Sequence, residues 1–487
     1  PRPGRRRRPA ASDGALRAAA RTVVLCGACT AWRPAGAEYH AEERVESARL
    51  YGNINEYAYY FTDLLVGWPR PQRVSVIVDT GSSLCGFPCQ GCQHCGQHID
   101  PPFRIDASSS AEWIPCSSDC IGSCKGRWCA YTQSYTEGSS ISGLWFRDRV
   151  QLGDAMQENP PVNATLGCHR DERKLFYTQR VNGIMGMAPH MNSGRPTILQ
   201  DLFRDRRHVT TGVFSICLSD WGGKLSVGGY ESQYHQNKAG NATTVQWMPL
   251  SHAGYYAVTP TSIGLGGVTI AQGIITFGTS LVDSGTTFTY FPSAVFGRLS
   301  SALRAACGAR PGCGARPENS DCWRLEGDST RPSRFPMMSI EFEGGARVQW
   351  PPDAYLFRRQ PTLWCQAFAD NGASSDTVLG VSWMLHKDII FDLRRSQLGV
   401  AEAACPEYRK APGEKGSGVA AVGRQSTPVA AFVALSTFTG CLLAAAALLW
   451  ILVGSCGDCQ KWSVLGGENP DERLVGSDSP QSSSASP

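Results

Sequence analysis

The amino-acid sequence predicts a mostly-β body of two related lobes, with a disulfide-rich insertion in the first lobe and one C-terminal transmembrane helix. Three observations carry this. Short runs rich in β-branched and aromatic residues, such as RVSVIVD, GVFSICLS, KLSVGGY, TSIGLGGVTI and KDIIFDL, fill the chain between Tyr51 and Val400 and are punctuated by Gly, Pro, Asn and Ser. An Asp-Thr-Gly-Ser-Ser motif at residues 79–83 is echoed by Asp-Ser-Gly-Thr-Thr at residues 283–287. A stretch from Val429 to Val453 contains no charged residue.

The chain has 487 residues, 42% of them apolar, and a net charge of only +4, so it can bury a large core. The dense basic run Arg5–Arg8 stands alone at the N-terminus, and aromatics are not interleaved with basic residues elsewhere. A nucleic-acid partner is therefore not expected. Behind those arginines, ALRAAARTVVLCGACTA is weakly apolar, and Ala35-Gly36-Ala37 offers small residues for a signal peptidase, so residues 1–37 are expected to be a leader.

Within the body, helical spacing is confined to TILQDLFRDR (Thr197 to Arg206) and PSAVFGRLSSALRAA (Pro292 to Ala306). The remainder reads as strands and turns. The expected lobes cover 38–230 and 231–405, the first carrying an insertion at 85–129 and a hairpin at 131–143. Residues 406–427 are polar and Gly/Ala-rich, which fits a stalk. At 1.5 Å rise per residue the apolar stretch, taken as 428–453, spans a hydrocarbon core of roughly 30 Å. Residues 454–487 then form a cytosolic tail too poor in apolar side chains to fold.

Twenty cysteines agree with a secretory placement, since 15 of them lie between Cys85 and Cys405. Two sequons, at Asn163 and Asn241, point to the same compartment and are glycosylation candidates. The insertion holds Cys85, Cys89, Cys92, Cys95, Cys116, Cys120, Cys124 and Cys129, eight thiols that pair without remainder. Cys217, Cys307, Cys313, Cys322, Cys365 and Cys405 are further disulfide candidates. Fifteen is odd, and Cys168, isolated in sequence, is the one expected to stay free. His94 and His98 among Cys89, Cys92 and Cys95 have the spacings that zinc sites use. In an oxidising lumen such thiols become disulfides, so no metal and no cofactor are expected.

The chemistry is expected at the two echoed motifs. Each follows an apolar strand, SVIV or TSLV, and each has a downstream partner in which two apolar residues precede glycine, GIMGM at 183–187 and VLGVSWM at 378–384. A single Asp-Thr-Gly marks a turn in many β-rich chains; two, with matching followers, imply a cleft to which each lobe contributes one aspartate. Two close carboxyls, Asp79 and Asp283, cannot both ionise cheaply, so they share a proton. The ionised one can take a proton from water while the other protonates the scissile carbonyl oxygen. Gly81 and Gly285 let the loops approach, Ser82 and Thr286 can donate to the outer carboxylate oxygens, and Thr80 and Ser284 complete the two loops.

In these motifs, together with FSICLS, LSVGGY and LVDSGTTFTYFP in the same order, the chain resembles pepsin-like aspartic proteases from about Glu56 to Ala401. The resemblance implies a bilobal fold, catalysis by Asp79 and Asp283, and a flap, the hairpin that closes over substrate, in which QSYTEGSSISG supplies Tyr135 as the flap tyrosine. Within the family the cysteine-rich insertion, the SYTEGS flap and the single span resemble the plasmepsin V group of apicomplexan membrane-anchored export proteases. That narrower likeness implies substrates with an Arg-x-Leu motif cut after the leucine, an endoplasmic-reticulum or Golgi membrane protein with a luminal catalytic body, and a monomeric catalytic unit near the translocation machinery. Glu137 is then the acceptor of the substrate arginine, since a carboxylate meets a guanidinium with two parallel bonds, and Gln179 an assisting acceptor. A nepenthesin-like or β-secretase-like specificity, or a catalytically silent peptide-binding relative, are the alternatives. One position departs from the family: where a tryptophan usually supports the flap tyrosine, this chain has Gly86.

Overall fold

In a computed structural model, described over residues 44–409 apart from 119, 121, 154–158, 190–195, 309–310 and 328, the strand-like runs form sheets. The expected leader, transmembrane helix and tail, with most of the stalk, lie outside the described residues. Among the described residues no helix is long and apolar enough to cross a membrane.

Among the described residues the largest sheet links fifteen strands. At one end Gln246–Pro249, Gln397–Glu402, Lys387–Asp392, Val213–Leu218, Gly223–Val227 and Glu46–Asn53 pair antiparallel in that order. Strands from both halves of the sequence thus share one platform. Phe214 and Phe391 stack across it with ring centroids 4.4 Å apart. Beyond Glu46–Asn53 the sheet continues through Tyr59–Val66 and Gln72–Asp79 to the flap strands.

Gln72–Asp79 is buried from Val74 onward, on both faces, so it reads in sequence as a continuous apolar run and not an alternation. Gly183–Gly186 lies parallel beside it, pairing Gly186 with Asp79, and antiparallel to Cys85–Pro88. The second half repeats the arrangement. Ser280–Val282 runs parallel to Thr377–Leu379, which meets Thr289–Phe291 antiparallel. The repeated apolar-apolar-Gly element is therefore the strand that backs each aspartate loop. Its glycine has a reason: a Cβ on Gly186 would lie 2.6 Å from Ser82 O, and one on Gly380 2.6 Å from Thr286 O.

Both expected helices form. Thr197 caps Ile198–Arg204 in a capping box with Gln200, and Ser293–Ala306 buries Val295, Leu299 and Leu303 on one face.

Seven disulfides join described cysteines: Cys89–Cys168, Cys92–Cys95, Cys116–Cys124, Cys120–Cys129, Cys217–Cys405, Cys307–Cys313 and Cys322–Cys365. Two expectations are corrected here. Cys168 is bonded and Cys85 is the free thiol among the described residues, so six of the eight insertion cysteines pair among themselves while Cys89 bonds outside the insertion. The cause is strand pairing. Cys85–Pro88 lies parallel to Val162–Arg173 with Phe87 opposite Cys168, which brings Cys89 to a residue 79 positions away, while Cys85 sits opposite Met185 in the core. Burial also pushes the Cys85 thiol up, away from reactivity.

Candidate active site

Each aspartate ends a buried strand, and the tight loop after it turns two donors back onto the carboxyl. Gly81 N–H donates to Asp79 Oδ1 at 2.8 Å, and Gly285 N–H to Asp283 Oδ1 at 2.8 Å. The outer oxygens accept from hydroxyls, Ser82 Oγ to Asp79 Oδ2 and Thr286 Oγ1 to Asp283 Oδ2. The two loops are near mirror copies. They also interlock: Thr80 N–H donates to Ser284 Oγ and Ser284 N–H to Thr80 Oγ1, while the two hydroxyls donate onward to Val282 O and Val78 O. Thr80 and Ser284 are 1% and 2% exposed, so four buried polar groups are satisfied only by this exchange.

Contact between the halves extends to the carboxyls. A Cβ on Gly81 would lie 2.7 Å from Asp283 Cγ, and one on Gly285 would collide with Asp79 Oδ1, so only glycine lets the carboxyls come together. Asp79 is 5% exposed, and its backbone oxygen is held by Met187 N–H at 2.7 Å. Burial first, and the neighbouring Asp283 charge second, push its carboxyl up to about 8, against the lowering pull of Ser82 and Gly81. The pair thus keeps one proton well above the ordinary carboxylate range.

The flap is the hairpin of Trp128–Ser134 and Ser140–Leu152, closed by a turn in which Tyr135 N–H donates to Ser139 O at 2.9 Å and Gly138 takes φ +85°. Tyr135 lies near Asp79 and Ser82. Burial and the Asp79 charge push its phenol up, and its ring meets Phe176 at 4.9 Å between centroids. The Ser82 hydroxyl beside the phenol pulls against that rise. Glu137 is exposed at the hairpin tip. Gln179 ends the short helix Leu175–Thr178, and its Nε2 donates to Val181 O at 3.0 Å.

Geometry therefore brings together Asp79, Thr80, Gly81, Ser82, Asp283, Ser284, Gly285, Thr286 and Tyr135. Asn163 and Asn241 are exposed, away from this cluster. The zinc-like set is resolved differently: Cys92 and Cys95 bond each other, Cys89 bonds Cys168, and His98 turns inward to Glu172 at 2.9 Å. Sequence reasoning passed over Glu172, His169 and Phe176, which have no motif around them.

A family model described as eukaryotic aspartyl protease matches residues 59–403. The chain belongs to that family. Among curated aspartyl proteases, aspartic protease 5 of Toxoplasma gondii is 33% identical over 437 residues, covering 79% of this chain. Plasmepsin V of Plasmodium falciparum is 28% identical over 444 residues, covering 74% of this chain. The plant protease nepenthesin-2 of Nepenthes gracilis is 23% identical over 362 residues, 71% of this chain. The match spans 40% of the Toxoplasma protease's length and 73% of the Plasmodium one's.

Proposed function

We propose that this aspartyl protease is a membrane-anchored endopeptidase of the secretory pathway that cuts proteins after the leucine of an Arg-x-Leu motif. The observation that carries the chemistry is the interlocked pair of loops, in which each aspartate has one oxygen tied to its own glycine N–H and the raised carboxyl of Asp79 lies beside Asp283. A water between the two loses a proton to the ionised carboxylate and attacks the scissile carbonyl carbon, while the protonated carboxyl hydrogen-bonds and then protonates the carbonyl oxygen. Collapse of the resulting diol breaks the C–N bond, the leaving nitrogen takes a proton, and the pair returns to its singly protonated state.

The specificity reading rests on Glu137 at the flap tip and on the likeness to plasmepsin V. A guanidinium held against Glu137 in a cleft closed by the flap gains two charge-assisted bonds that a lysine cannot match in geometry. The luminal placement is supported by the seven disulfides and by exposed sequons at Asn163 and Asn241. The uncharged stretch Val429 to Val453 supplies the anchor. Incubating the full chain with Arg-x-Leu peptides, alongside an Asp79→Asn control, and mapping the cut by mass spectrometry tests the proposal. Cleavage after leucine that the control lacks supports it. Peptide binding without any pepstatin-sensitive cleavage would instead identify a silent peptide-binding relative.

A further inference from the structure

Gly86 carries no side chain, and other side chains fill the space beside it. A Cβ there would lie 2.8 Å from His169 Nε2, so the His169 imidazole lies directly against the Gly86 backbone. His169 meets Phe176 edge-on, with centroids 6.4 Å apart at 88°, and Phe176 meets Tyr135 at 4.9 Å. A file of three rings thus joins the strand behind the first catalytic loop to the flap.

Its anchor is Glu172, which is fully buried. Oε1 accepts from His169 Nδ1 at 2.7 Å; Oε2 accepts from His98 Nε2 at 2.9 Å and from Gly96 N–H at 3.2 Å. The other nitrogen of His98, Nδ1, lies 3.0 Å from Gln179 O. A carboxylate and a carbonyl oxygen only accept, so His98 keeps both bonds only as an imidazolium, whereas His169 needs a proton at Nδ1 alone. Burial pushes the Glu172 carboxyl up, but the bonds from His169 and His98 outweigh it, and the group is held below its ordinary value. Through its main chain Glu172 pairs with Ile141 of the flap strand and donates to His94 O at 2.7 Å. One side chain therefore ties together the cysteine-rich insertion, the strand beside the flap and the turn at Gln179. Among the described residues no group of three His, Cys, Asp or Glu side chains is arranged to hold a metal ion, and these three are joined by hydrogen bonds.

We propose that Glu172 is a positioning residue for the reaction: through His169 and Phe176 it sets Tyr135 beside Asp79, and through His98 it sets the Gln179 turn. The role rests on the protease reading above, but its test has an arm that does not. In Glu172→Ala, His98 Nε2, His169 Nδ1 and Gly96 N–H lose the partner they share. In Glu172→Gln the bonds to both histidines can be kept, because the amide oxygen accepts from His169 and the amide nitrogen donates to a neutral His98 whose Nδ1–H stays on Gln179 O, and only the 3.2 Å bond from Gly96 N–H is given up.

The experiment compares the full chain with Glu172→Ala, Glu172→Gln and Phe176→Leu, the last removing the ring without touching the carboxylate in case the alanine variant does not fold. Steady-state kinetics on an Arg-x-Leu peptide should show kcat/KM reduced roughly tenfold or more in the alanine and leucine variants, and within about threefold of the parent in the glutamine variant. Amide hydrogen exchange, read without substrate, should be faster across residues 131–143 and 176–180 in Glu172→Ala, faster across 131–143 in Phe176→Leu, and parental in Glu172→Gln. Parental kinetics or parental flap exchange in folded alanine or leucine variants overturns the proposal, as does a glutamine variant as impaired as the alanine one. Should the parent cleave nothing, the protease reading fails, and the exchange measurement alone still decides whether Glu172 orders the flap.

Discussion

Thr80 and Ser284 bind each other across the midline of the molecule, Thr80 N–H to Ser284 Oγ at 3.1 Å and Ser284 N–H to Thr80 Oγ1 at 2.9 Å. They lie 204 positions apart in sequence, each directly after one of the two paired aspartates. Whatever moves one loop moves the other. Thr80→Val keeps the side-chain shape but orphans Ser284 N–H and Val282 O, at a cost of about 1–3 kcal/mol for each buried group. Denaturant unfolding is expected to show that loss, and kcat to fall about 10–100-fold as the two loops lose the contact that holds their carboxyls together. Thr80→Ser keeps the hydroxyl and should stay near the parent in both measurements.

The proton held by the dyad sets the pH response. With Asp79 pushed up to about 8, the folded chain binds one proton more than the unfolded chain from the ordinary carboxylate value upward to about pH 8. Its contribution to stability therefore diminishes as pH rises through that window. The singly protonated, active pair persists to neutral pH, and the alkaline limb of kcat/KM against pH is expected near pH 8. A limb centred below about pH 6 would contradict this assignment. Asp79→Asn removes the buried carboxyl, and at neutral pH should raise Tm while abolishing cleavage.

Glu137 reports on specificity separately from catalysis. Glu137→Ala should lower cleavage of Arg-x-Leu peptides by roughly tenfold or more, the worth of a charge-assisted bidentate contact, and change Ala-x-Leu peptides little. Equal losses on both peptides would remove Glu137 from substrate recognition and leave it a solvated turn residue.

Cys85 and Cys168 exchange the roles that spacing suggests, and the exchange is measurable. Peptide mapping without reduction should recover Cys89 joined to Cys168, with Cys85 alkylated only after unfolding, because it is buried. Cys168→Ala opens a disulfide spanning 79 residues and is expected to cost about 2–5 kcal/mol. Cys85→Ala leaves the disulfides intact.

What could be read in the sequence and what could not divide along a physical line. Asp79 and Asp283 were legible because each sits in a local pattern, an apolar strand before and a small-residue loop after, that occurs twice. The helices at Ile198–Arg204 and Ser293–Ala306 were legible from periodicity, and the first also from its Thr197 cap. Cys89–Cys168 was not, because the bond depends on which strand lies beside Cys85–Pro88, a tertiary fact with no trace in spacing. For the same reason Glu172 and His169 give no signal: an ordinary glutamate and a histidine join His98 in a junction only when Gly86 leaves room and three segments converge. His98 was noticed, but its neighbours in sequence suggested zinc, whereas its neighbours in space are a carboxylate and a backbone carbonyl.

The central claim is that Asp79 and Asp283 act as one unit sharing a proton. The most direct measurement is kcat/KM on an Arg-x-Leu peptide for Asp79→Asn, Asp283→Asn and the double variant. Either single change is expected to remove nearly all activity, roughly 10⁴-fold or more, with the double variant no worse than the singles, the non-additivity of groups that work together. A single variant that keeps within about tenfold of the parent rate, or losses that multiply in the double variant, would contradict the shared-proton dyad.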